Sequence, residues 1–73
     1  MREVLRKARK GKGMTQQQVA DAVGISFRHY QDIEYGVVTG NVVIWDKLED
    51  LFTTHQRKLR EMQETRPAQA NNL

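Results

Sequence analysis

The chain has 73 residues, no cysteine and a single proline. That length makes one small domain, which buries only about 60% of the surface its unfolded chain exposes, so a large internal active site, a disulfide framework and a catalytic thiol are all excluded. The net charge of +3 is unevenly spread: residues 1–12 carry +5, residues 13–54 carry −4 and residues 55–73 carry +2, and a basic end of this kind fits nucleic acid or an anionic surface.

Helical periodicity dominates. Val4, Leu5 and Ala8 recur at i, i+1 and i+4 among Arg2, Arg6, Lys7, Arg9 and Lys10, which predicts an amphipathic first helix. It ends at Gly11–Lys12–Gly13. That segment lacks the rest of a phosphate-binding loop and reads as a turn. Thr15 with Gln18 three residues later predicts a capping box for a second helix, with Met14 and Val19 as a hydrophobic staple. Gly24 stops it, because a left-handed residue costs glycine nothing. Ser26 caps a third helix, with Ile25 and Tyr30 as its staple, and Gly36 ends it. Residues 37–40 read as a loop, although their β-branched residues also permit a short extended stretch.

Asn41 caps a fourth helix, in which Ile44, Trp45, Leu48, Leu51 and Phe52 form a core stripe. Thr53 or Thr54 opens a fifth element, Thr53 pairing with Gln56 as another capping box. Leu59 and Met62 form its apolar edge. Two uses are open for them: closing the core under Phe52, or forming half of a dimer seam, which is the favoured one. From residue 65 onward the chain is polar and is expected to be a disordered tail. The expectation is an all-α bundle of four to five short helices over residues 1–64.

No run is long enough to span a membrane, and residues 1–12 lack the apolar segment of a signal peptide. The expected location is therefore cytoplasmic. His29 and His55 are too few for a metal site. Ser26 and the threonines read as caps, since no base-activated nucleophile lies near them. No cofactor and no enzyme chemistry are expected.

The informative segment is residues 15–36, two short helices joined by a tight turn at Gly24. That is a helix-turn-helix, whose second helix enters the major groove of DNA. Ala20 supplies the small residue at the helix crossing. Val19, Val23, Ile25, Tyr30 and Ile33 supply the apolar backing. Gln16, Ala20, Gly24–Ile25–Ser26, Ile33–Glu34 and Gly36 stand at spacings that resemble the lambda-repressor/Cro-like helix-turn-helix family, or XRE family, over roughly residues 2–53. Tyr30 replaces the aliphatic residue usual at its position. The segment from Trp45 to Phe52 looks like the fourth helix of small phage or mobile-element repressors.

The resemblance implies a sequence-specific regulator of double-stranded DNA, a repressor acting as a homodimer. It puts Phe27, Arg28 and Asp32 toward base edges. It makes Gln16, Gln17, Ser26, Gln31, Asn41 and Lys10 the candidate phosphate contacts, and Arg9 with Glu34 an ion pair between the first and third helices. Two departures stand out. The loop at residues 37–40 has no Lys or Arg, and the third helix carries one full cation, Arg28, against two acids. Arg28 is favoured as a guanine reader over a surface pair with Asp32. For Phe27, contact with a thymine methyl and folding back onto the core are equally open. Two other functions remain in view: an antitoxin whose residues 55–73 wrap a protein partner, and a protein-interaction module with little DNA affinity.

Overall fold

The computed structural model describes residues 1–62, so the expected tail at 65–73 lies outside the described residues. Five helices follow one another: α1 (Glu3–Gly11), α2 (Gln16–Val23), α3 (Phe27–Tyr35), α4 (Val42–Phe52) and α5 (Gln56–Leu59). There is no strand among the described residues. The valines of the α3–α4 loop form no ladder, because no second extended segment lies alongside to pair with them.

The caps set the boundaries. Thr15 Oγ1 accepts from the Gln18 amide at 3.1 Å, and the Thr15 amide donates to Gln18 Oε1 at 2.8 Å, which closes the capping box. Gly24 adopts φ +80°, so its own amide and that of Ile25 can both donate to the Ala20 carbonyl. This reversal brings α3 against α2 after only three connecting residues. Ser26 Oγ accepts from the His29 amide at 3.0 Å, and Asn41 Oδ1 from the Ile44 amide at 3.0 Å. The fifth helix departs from expectation. Its N-cap is His55, whose Nδ1 accepts from the Arg57 amide, while Thr53 ends α4 in the left-handed region at φ 52°.

Leu5, Val19, Ala20, Val23, Tyr30, Ile33, Ile44, Trp45, Leu48, Phe52 and Leu59 form one core shared by all five helices. Each large aliphatic side chain buried here contributes about 1.5–3 kcal/mol. Trp45 Nε1 donates to the Thr39 carbonyl at 2.7 Å, which pins the α3–α4 loop to the core. Leu59 corrects the expectation of a two-residue seam. The short α5 folds back onto α1 and α4, and its one apolar residue fills the space there with 0% of its surface exposed. A side chain already buried within its own chain has nothing left to offer a partner. Met62 remains 51% exposed.

Candidate nucleic-acid interface

The α2–α3 unit is held from behind by a buried polar network. Arg9 on α1 reaches Glu34 on α3 with two parallel hydrogen bonds, Nε to Oε1 at 2.9 Å and Nη2 to Oε2 at 3.1 Å. Its Nη1 donates to the Met14 carbonyl just ahead of α2. Gln16 Nε2 donates to Glu34 Oε2 at 3.2 Å, and Gln16 Oε1 accepts from Gln31 Nε2 at 3.4 Å. One carboxylate thus joins α1, α2 and α3. Burial pushes the Glu34 carboxyl up, but the hydrogen bonds and charge of Arg9 outweigh it, with the Tyr30 phenol and Gln16 adding, and hold it below the usual carboxylate range. The same contacts raise Arg9.

The far end of α3 is held by Arg2, a residue the spacing placed among the surface cations of α1. Its backbone amide donates to the Glu34 carbonyl at 2.9 Å. Its guanidinium donates to the carbonyls of Ile33 and Val38, and a cation suits the C-terminal end of a helix. Only 5% of Arg2 is exposed. Nothing in the periodicity of α1 singles it out, because its partners are backbone oxygens remote in sequence.

The outer side of α3 carries the candidate readers. The Arg28 side chain is 80% exposed, and its Nε donates to Asp32 Oδ1 at 3.2 Å. That bond uses one edge of the guanidinium and leaves Nη1 and Nη2 for a bidentate partner. Phe27 is 40% exposed and lies outside the core. The candidate phosphate contacts divide by geometry. Gln16 gives its amide to Glu34 and accepts from Gln31, so both amides are engaged within the chain. Gln17 Nε2 donates to Asp21 at 3.0 Å. Ser26 accepts at its cap yet keeps its hydroxyl proton to donate, and Asn41, capping through Oδ1, keeps Nδ2. Lys10 is exposed on α1. The helix starts at Thr15, Ser26 and Asn41 add amides and a positive dipole end, which favour phosphate.

A tight helix pair with an outward guanidinium and polar helix starts is the architecture of a DNA-binding helix-turn-helix domain. The helix-turn-helix family model matches residues 5–52, and the chain belongs to that family, the XRE-type, lambda repressor/Cro-like group. It is a DNA-binding transcriptional regulator of this type. No curated protein and no solved structure matches it. No helix among the described residues is long and apolar enough to cross a membrane.

Proposed function

We propose that this chain is a repressor that reads a two-fold operator as a homodimer, with α3 in the major groove. The observation that carries this reading is the Arg28–Asp32 pair. Asp32 holds the guanidinium through Nε and leaves the two Nη groups of this 80% exposed side chain for a guanine O6/N7 edge. Ser26 and Asn41 flank α3 with donors for phosphate, and Lys10 adds an exposed cation. A dimer would place two such helices about one helical turn, ~34 Å, apart.

Exposed apolar residues support self-association. Val37, Val42 and Val43 are 69%, 64% and 56% exposed around the α3–α4 loop, where the family pattern carries cations. The Met62 thioether lies against Gly36, beside this loop. With Leu59 committed to the core, the seam is proposed at Met62 and these valines.

Selection of bound sequences from random DNA by the purified chain tests the reading. The expected product is a two-fold symmetric motif with a guanine in each half-site. Unselective binding, or none at ~100 mM salt, would instead favour a protein-interaction module.

A further inference from the structure

A pocket of 480 Å³ opens where α5 meets the start of α1 and the α3–α4 loop, away from the outer side of α3. Arg2, Thr39, His55, Arg57, Arg60 and Glu61 line it. Three guanidiniums therefore face one carboxylate. None of the three forms an ion pair among the described residues, where the salt bridges are Arg6–Glu3, Arg9–Glu34 and Arg28–Asp32. Gln56, on the same wall, donates its amide to the carboxylates of Asp46 and Glu49 of α4.

Two of the three cations, Arg2 and Arg60, are held in place. The guanidiniums of Arg2 and Arg60 both lie over the Trp45 ring, at 5.3 and 6.0 Å from its centroid. Arg2 Nε donates to the carbonyl of Arg60 itself at 3.1 Å. With Nε and Nη1 committed to carbonyls, Arg2 keeps Nη2 as its remaining donor. His55 accepts at Nδ1 from the Arg57 amide, which puts its ring proton on Nε2. Burial, and then the nearby charge of Arg60, lower the Arg2 pKa. Like charges fixed this close to one another stabilise an anion placed between them. Guanidinium forks match the oxygens of a phosphoryl group, and the volume is that of a small-molecule site.

We propose that this pocket is a phosphate-binding site, which takes a phosphoryl group carried either by a small phosphorylated molecule or by the DNA backbone beyond Asn41. The first source is independent of the operator reading; only the second rests on it. Occupancy reaches α3 through Arg2, which joins the pocket to the carbonyls at the end of that helix.

Trp45 is the sole tryptophan and reports on the cations above it. The full chain is titrated with sodium pyrophosphate at constant ionic strength, with sodium chloride as control, while Trp45 fluorescence and the His55 ring resonances are followed. A saturable response that chloride does not reproduce is expected. Arg57→Gln and Arg60→Gln, both at exposed positions, should each raise the midpoint about tenfold while circular dichroism shows an unchanged fold. Repeating the titration on the operator complex separates the sources. An unchanged midpoint points to the small molecule. Competition, with a salt slope for DNA binding made shallower by about one unit in Arg60→Gln, points to the backbone. The proposal is overturned if the wild type shows no saturable response up to ~10 mM and Arg60→Gln leaves the DNA salt slope unchanged. It is equally overturned if both variants respond as the wild type does.

Discussion

Arg9 Nε and Nη2 grip Glu34 Oε1 and Oε2 at 2.9 and 3.1 Å, across 25 residues of sequence, and the Glu34 side chain is 1% exposed. Two charges removed from water this fully are costly to separate. Glu34→Ala strands the Arg9 guanidinium inside the domain and should lower stability by about 3–5 kcal/mol in urea denaturation. Asp50→Ala, on the exposed side of α4, should change it by less than about 0.5 kcal/mol. Similar losses for the two variants would mean that water reaches the Arg9–Glu34 pair.

The same pair sets the response to acid. The Glu34 carboxyl is held below its ordinary range in the folded chain. A depressed pKa contributes stability above the unfolded value, about 4.3, and that contribution is lost as pH falls below it toward the folded value. Stability of the wild type should therefore drop steeply in that window. Glu34→Gln, less stable at neutral pH, should show a flatter profile there. Tyr30 acts at the other end of the scale. Its buried hydroxyl has no hydrogen bond of ordinary geometry, and burial, with the Glu34 carboxylate beside it, pushes the phenol up. A raised pKa contributes stability below the unfolded value, about 10, which is lost as pH rises beyond it. Tyr30→Phe should reduce the alkaline loss, as thermal melts between about pH 8 and 11 can measure.

Much of this fold was legible in the sequence because its boundaries rest on local chemistry. Thr15, Ser26 and Asn41 accept from amides three residues on, and Gly24 reverses the chain by itself, so each signal lies within one turn of the residue that uses it. Arg2 was not legible for the opposite reason. It is buried by carbonyls of Ile33, Val38 and Arg60, which any sequence would carry and only the assembled fold brings together. Leu59 was ambiguous because one apolar residue on a helix of four residues has no periodicity to give it a direction. For the side of α3 proposed to face DNA, the motif pointed to the helix Phe27–Tyr35 itself. It did not show that Gln16 and Gln31 turn inward to the Glu34 network.

The place of Leu59 separates folding from association. Leu59→Ala removes a fully buried side chain and should cost about 2–5 kcal/mol at any protein concentration. Met62→Ser exposes no cavity and should leave monomer stability within about 0.5 kcal/mol, while sedimentation equilibrium shows weaker self-association. A wild type that is already monomeric at high micromolar concentration would remove Met62 from the proposed seam.

Two glycines separate backbone strain from crowding. Gly24 and Gly40 have φ of +80° and +85°. A Cβ at Gly24 would meet only Lys47 Nζ, at 4.0 Å, so Gly24→Ala should cost about 1–2 kcal/mol from the left-handed conformation alone. A Cβ at Gly40 would come within 3.1 Å of Ile33 Cδ1 and 3.3 Å of Trp45 Nε1. Both are buried side chains with little room to yield. Gly40→Ala should therefore be the more destabilising of the two in urea titrations, and a reversed order would show that the α3–α4 loop relaxes freely.

The Arg28–Asp32 geometry makes the sharpest statement about recognition. With Asp32 on Nε and its own side chain 80% exposed, Arg28 is proposed to contact one base while Asp32 orients it. Arg28→Ala should cost about 1–3 kcal/mol of binding and relax preference at one base pair of each half-site. If Asp32 acts only by orienting Arg28, Asp32→Ala should relax that same base pair, by less. If Asp32 instead accepts from a cytosine N4, a neighbouring base pair relaxes, and the bond to Nε is given up on binding. Lys10→Ala supplies the contrast: a lysine touching phosphate alone lowers affinity for every sequence equally and makes the salt slope shallower by about one unit. Base-by-base binding profiles of the three variants distinguish these outcomes. An Arg28→Ala profile identical to that of the wild type would take α3 out of the groove.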